Sequence, residues 1–138
     1  MRLHLVDYNG HLVNAWAEAF AQFPGVTVQQ GDLLAVAEHC VVSPANSYGF
    51  MDGGIDAVYR AFFGAQIERT VQDAVTRRPE GHLPVGASLV VRTGHQRVPF
   101  MIVAPTMTVP EQVESRHCYR AMRAVLRIAG SDDEARWR

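Results

Sequence analysis

The residues of this chain best suited to chemistry lie together, in the run Val41-Val42-Ser43-Pro44-Ala45-Asn46-Ser47-Tyr48-Gly49-Phe50-Met51-Asp52-Gly53-Gly54-Ile55-Asp56. Asn46 carries an amide that both donates and accepts, the pattern that suits sugar hydroxyls. Gly49, Gly53 and Gly54 permit unusual backbone angles and let a ligand approach main-chain N–H groups closely. A helix opening near Ile55 would point its amide end into the same place, where a pyrophosphate is stabilised. Asp56 falls in the first turn of that helix. Singly, each residue has a plainer reading: Asn46 as a turn residue, the glycine pair as a turn, Asp56 as a first-turn aspartate without chemistry. The order of strand, asparagine, glycines and helix is what favours a site for a nucleotide-like anion.

The elements that must position these residues follow from hydrophobic spacing and turn signals. Leu3 to Val6 reads as a strand ending at Asp7-Tyr8-Asn9-Gly10. Leu12 to Phe23 has helical spacing and stops at Pro24-Gly25. Val26 to Val28 is a second strand closed by Gly31-Asp32, and His39 to Val42 is a third that leads straight into the glycine-rich run. A helix from about Ile55 to Thr76 is expected to break near Gly64. Ala87 to Arg92 and Phe100 to Ala104 read as strands, and Pro110-Glu111 as the start of a last helix ending at Gly130. Strands interleaved with helices imply an α/β sheet covered on both faces, with ligands at the carboxyl ends of the strands.

Composition narrows the classes. With 138 residues, 48% of them hydrophobic, the chain is expected to form a single domain over 1–138. Thirteen basic residues against fourteen acidic ones give no basic excess, hence no strong nucleic-acid signal. Cys40 and Cys118 are too few for a disulfide framework or a metal site. Neither a signal peptide nor a membrane-length apolar run is present, so the expected setting is cytoplasmic and no membrane partner is expected. The tail 131–138 is charged and patternless, and reads as a frayed terminus.

The stretch from Ser43-Pro44-Ala45-Asn46 through Gly53-Gly54-Ile55-Asp56 to Gly64 resembles the macro-domain signature Asn-Ala-Ala-Asn, polar spacer, Gly-Gly-Gly-Val-Asp, in the form found in its MacroD-type hydrolase branch. Gln30-Gly31-Asp32-Leu33-Leu34 resembles the Gly-Asp-Ile motif of that family, and Gly81 to Ala87 with Ile102 to Pro105 its paired strands; the likeness covers about residues 26 to 128. The resemblance implies a three-layer α/β/α fold with a mixed central sheet, and ADP-ribose or an ADP-ribosylated substrate as ligand, without metal or cofactor. It further implies that Asp32 accepts from the adenine amino group with the Leu33 amide beside it. Asn46 would hold the distal ribose, and the amides of Gly53, Gly54 and Ile55 would cradle the pyrophosphate. Asp56, with Asn46, matches the catalytic positions of the hydrolytic branch. For Asp32 the plainer alternative is a capping carboxylate.

The sequence departs from the family at several points. Ser43-Pro44 replaces the first Asn-Ala, and Asp52 puts a negative charge near an anion unless its side chain turns away. Tyr48 and Phe50 are expected either to pack under the loop or to wall the distal ribose. The last strand, second phosphate loop and final helix of the family have no counterpart between Ala129 and Arg138. A sheet edge left open in that way would invite a homodimer. Three readings stay open: hydrolysis of mono-ADP-ribosyl or O-acyl-ADP-ribose linkages, ADP-ribose binding without turnover, and a structural macro fold without ligand.

Overall fold

The computed structural model describes Met1–Ser131, so all but the first residue of the charged tail lies outside the described residues. Contacts divide the chain into two compact units, Met1–Ala37 and Glu38–Arg138.

The first unit is a β–α–β arrangement. Strand β1 (Leu3–Asp7) pairs in parallel with β2 (Val26–Gln30), in the register Leu3 to Val26 through Asp7 to Gln30. Helix α1 (Gly10–Ala19) makes the crossover. It starts where it does because the Asn9 side chain accepts from the amides of His11 and Leu12, satisfying two otherwise orphaned donors. The helix ends at Ala19, short of the expected Phe23. The chain instead turns, with Phe23 N–H on the Phe20 carbonyl and Val26 N–H on that of Phe23, which leaves Phe23 exposed. A single-turn helix, α2 (Leu33–Val36), follows β2 and was not expected; the Asp32 carboxylate caps it, accepting from Leu34 N–H at 2.9 Å.

The second unit contains a mixed sheet ordered β3-β5-β4. Strand β3 (Cys40–Ser43) runs parallel to β5 (Phe100–Val103), and β4 (Leu89–Arg92) pairs antiparallel with β5. Between β3 and β4 lie α3 (Gly54–Phe63) and α4 (Gln66–Thr76), separated at Gly64 as expected, and α5 (Ser115–Ala129) follows β5. All four residues of β5 are buried, as a strand covered on both faces requires. On one face Ile102 packs with Ala121, Val125 and Ile128 of α5, joined by Cys40, Val42 and Val90. The alternate residues point to the other face, where α4 packs on β4 through the stripe Ile67, Val71 and Val75, each 1% exposed. Within this unit the layers are therefore helix, sheet, helix, and the expected mixed α/β fold is observed. Helix α5 begins at Ser115 rather than at Pro110. Val109, the residue before that proline, has no side-chain oxygen to cap a helix, so the proline alone does not start one. Among the described residues no helix is long and apolar enough to cross a membrane.

Candidate functional site

The second unit brings most of the expected site residues together around the end of β3. Pairing with β5 continues in part beyond Ser43 and ties the outgoing chain down. Ala104 N–H donates to the Ser43 carbonyl and Thr106 N–H to that of Ala45, both at 3.0 Å, and Ser47 N–H reaches the Thr108 carbonyl at 3.2 Å. The Thr106 hydroxyl adds a bond to the Pro44 carbonyl, and His117 on α5 holds the Thr106 carbonyl through Nδ1 at 2.9 Å. The loop thus leaves from a fixed base.

Asn46 shapes the next turn. Its Oδ1 accepts from the amides of Tyr48 and Phe50, at 3.1 and 3.2 Å, and its Nδ2 donates to the Phe50 carbonyl at 2.8 Å. The side chain is 6% exposed. Sequence reading placed it on a ribose; in the structure its amide organises residues 46–50, an Asx-type role that the turn alternative describes well. Gly49 closes the turn with φ +78°, and a Cβ there would stand 2.9 Å from Cγ1 of Val71, so the loop lies flush on α4. Glu68 of α4 fixes the far end by accepting from Met51 N–H at 2.7 Å while pairing with Arg60 at 3.5 Å. Nothing in the sequence marks Glu68, because its partner is a backbone amide 17 positions away.

One of the two readings of the aromatics, packing under the loop, does not hold. Tyr48 and Phe50 do not pack under the loop: they are 44% and 53% exposed, and Met51, at 2%, fills that position. Tyr48 instead lies beside the His82 ring, centroids 6.1 Å apart. Asp52 is exposed, where its charge is solvated rather than buried.

Beyond Met51 the backbone is left open. Gly53 is the N-cap of α3 and supplies no side-chain hydrogen bond; the first helical bond is Ala57 N–H to the Gly53 carbonyl, at 3.2 Å. The amides of Gly54, Ile55 and Asp56 therefore lie ahead of the helical ladder, at its positive end. Gly53 and Gly54 are exposed, nothing lies within 4 Å of a Cβ built on either, and Gly54 has φ +55°. That is an accessible row of donors at a helix N-terminus, of the type that receives phosphate oxygens.

Asp56 sits directly beneath it. Together with Tyr59 and Phe63 it forms the buried stripe of α3, so a carboxylate occupies what the helical period makes a core position. The Ser43 hydroxyl donates to Asp56 Oδ1 at 2.5 Å, and both residues are buried, at 1% and 7% exposure. Burial raises the Asp56 pKa above its ordinary value, and the Ser43 hydrogen bond partly opposes this. Oδ2 has no hydrogen-bond partner among the described residues, yet it is not one of the atoms sealed from solvent without one. Tyr59 donates to the Val42 carbonyl at 2.9 Å, and burial first, with Asp56 and Cys40 adding to it, pushes its phenol pKa well above the ordinary value. Burial likewise pushes the Cys40 thiol up to about 11, which makes it an unreactive thiol. The core-stripe position of Asp56 was visible in the sequence as Asp56, Tyr59 and Phe63 at spacings of three and seven. Ser43 was visible only as a departure from a motif.

Asp32 and Leu33 belong to the first unit, at the carboxyl end of β2. Asp32 is exposed and engaged as the cap of α2. Leu33 is half-buried.

Fold and site together define an α/β domain with a loop of open backbone amides and a buried carboxylate at the carboxyl end of β3. The macro-domain family model matches residues 42–135, and the chain belongs to that family. A protein of Aquifex aeolicus described as uncharacterized is 34% identical over 108 residues, which cover 78% of this chain and 62% of that protein. A second such protein, from Aeropyrum pernix, is 33% identical over 105 residues, 75% of this chain and 52% of its own. The chain thus spans less than two thirds of the curated relatives it matches. Among solved structures, the macrodomain of Mycobacterium tuberculosis DarG superposes with a TM-score of 0.62 at 22% identity, over 74% of this chain and 66% of its own. A glycine-to-valine variant of the Oceanobacillus iheyensis macrodomain, solved with ADPR, gives 0.56 at 18% identity, over 71% and 54%.

Proposed function

We propose that this macro domain binds ADP-ribose and hydrolyses the bond that links it to a modified target or an acyl group. The observation that carries the proposal is the uncapped, exposed N-terminus of α3 behind Gly53 and Gly54. Three backbone donors at the positive end of a helix suit a pyrophosphate without any basic side chain. Family membership and the ADPR bound by the Oceanobacillus macrodomain support the same ligand. In this reading Gly53, Gly54 and Ile55 cradle the pyrophosphate. Asn46 shapes the loop beside the distal ribose, and the exposed rings of Tyr48 and Phe50 wall that sugar.

Asp56 supplies the chemistry. A water gives its proton to Oδ2 as its oxygen bonds the electrophilic carbon; the bond to the departing group breaks with its electron pair, and that group takes up a proton. Isothermal titration calorimetry with ADP-ribose and with adenosine tests the binding half. ADP-ribose is expected to bind, and adenosine, which lacks the pyrophosphate, to bind at least about 10-fold more weakly, the equivalent of about 1.4 kcal/mol. Equal affinities would remove the pyrophosphate cradle from the proposal.

A further inference from the structure

We propose that Ser43 is a positioning residue for Asp56: its hydroxyl fixes one carboxylate oxygen and leaves the other free for water. This inference rests on the proposed hydrolytic role of Asp56 and deepens it. Its basis is geometric. Ser43 is the last residue of β3, held through its own backbone carbonyl by Ala104 N–H. A β-strand fixes the direction of its side chains by alternation, and Ser43 is 1% exposed, so its hydroxyl has few alternatives to the Asp56 Oδ1 that it contacts at 2.5 Å. Asp56 is fixed from the other side by its place on the buried stripe of α3, next to the Tyr59 whose hydroxyl is tied to Val42, the neighbour of Ser43.

Strand and helix therefore clamp the carboxyl between them. A carboxylate has two oxygens and about four acceptor sites. Occupying Oδ1 with a donor that cannot leave holds the plane of the group and leaves Oδ2, which has no hydrogen-bond partner among the described residues, for a water. The replacement of the family's first asparagine by a serine then has a physical meaning: a short hydroxyl reaches the buried carboxyl that lies 13 residues on.

The hydroxyl also acts on the proton. It donates, and donation to the ionised form favours that form, against the burial that disfavours it. Of the groups that act on Asp56, Tyr59 on α3 and Cys40 on β3 both ionise well above the carboxylate range, and β5 contributes no titratable side chain. Glu68 on α4 accepts from Met51 N–H and pairs with Arg60.

The test is Ser43→Ala in the full chain, with Ser43→Thr as the variant that keeps a hydroxyl. Three quantities are read: the Asp56 titration by carboxyl carbon NMR of aspartate-labelled protein, ADP-ribose affinity by calorimetry, and turnover of a mono-ADP-ribosylated substrate against pH. In Ser43→Ala the Asp56 midpoint and the acid limb of kcat move to higher pH. Turnover falls by up to about 100-fold, the scale of a misplaced reacting group. KM and ADP-ribose affinity stay within about two-fold, and Ser43→Thr restores both midpoint and rate. An unshifted Asp56 midpoint in Ser43→Ala overturns the inference, as does a loss of affinity that matches the loss of rate. Absence of turnover in the wild type, with the NMR shift still present, would overturn the hydrolytic reading and leave the Ser43–Asp56 pair standing.

Discussion

Asp56→Asn is expected to lower turnover of a mono-ADP-ribosylated substrate by about 100- to 10,000-fold, the range for removal of a general base, while ADP-ribose affinity stays within a few-fold. Asparagine keeps the shape and can still accept from the Ser43 hydroxyl, so the clamp between β3 and α3 survives and the basic oxygen does not. The same substitution carries a second, opposite expectation. The folded-state pKa of Asp56 is raised above the unfolded value near 3.8, with burial as the main cause. Folding therefore favours the protonated form. The associated stability is fully present below the unfolded pKa and is lost as pH rises through the folded one. At neutral pH the ionised, 7% exposed carboxylate is a cost to the fold, offset in part by Ser43 and by the positive end of α3. Asp56→Asn should consequently melt at higher temperature than the wild type at pH 7, with the gap closing as pH falls toward 3.8. A variant that loses both activity and melting temperature at pH 7 would mean that Asp56 is a structural carboxylate. Equal turnover in variant and wild type would leave a binding module without catalysis.

Asn46→Ala is the second large effect. It deletes one side chain but frees three groups at once: the amides of Tyr48 and Phe50 and the carbonyl of Phe50. A buried group left unpaired costs about 1–3 kcal/mol, yet this loop can open to water, so a stability loss of about 2 kcal/mol is expected from chemical denaturation. The effect on ligand binding is larger than loss of a single sugar contact would give, because residues 46–50 lead into the glycine pair. ADP-ribose affinity should fall by about 10- to 100-fold, equivalent to about 1.4–2.8 kcal/mol. Asn46→Asp separates the two roles. The carboxylate still accepts from both amides but cannot donate to the Phe50 carbonyl or to a sugar oxygen, so the loop is partly retained. If Asn46→Ala left both stability and affinity unchanged, the loop would not be organised by this side chain.

Much of the fold could be read from the chain because its local signals agree with its packing. The stripe Ile67, Val71, Val75 and the break at Gly64 are periodic and short-range, and the structure has both. Element ends were less legible. The stop of α1 at Ala19 depends on how Phe20 and Phe23 turn the chain toward β2, and the start of α5 at Ser115 on a missing cap at Val109, where Pro110 by itself suggested an earlier start.

The site was legible in its order of residues and not in its contacts. The glycines, the helix N-terminus and Asp56 fall where the motif put them. Asn46, however, was assigned outward to a sugar, and its three observed bonds all run within its own loop. Side-chain to backbone bonds of this kind leave no periodicity in a sequence. Glu68 and Ser43 were missed for the related reason that each acts on a partner in another element, Met51 N–H and Asp56 Oδ1. For Tyr48 and Phe50 the choice between packing under the loop and facing outward stayed open, because residue type alone cannot tell which of three neighbouring large side chains turns inward; the loop geometry selects Met51.

The central claim is that the open amides at the start of α3 hold the pyrophosphate. Amide chemical-shift mapping of the labelled chain, titrated with ADP-ribose and separately with adenosine, tests it most directly. The expected result is that the amide resonances of Gly53, Gly54 and Ile55 move strongly with ADP-ribose, saturate with the calorimetric affinity, and stay in place with adenosine. Saturating ADP-ribose that leaves those three amides unmoved would contradict it.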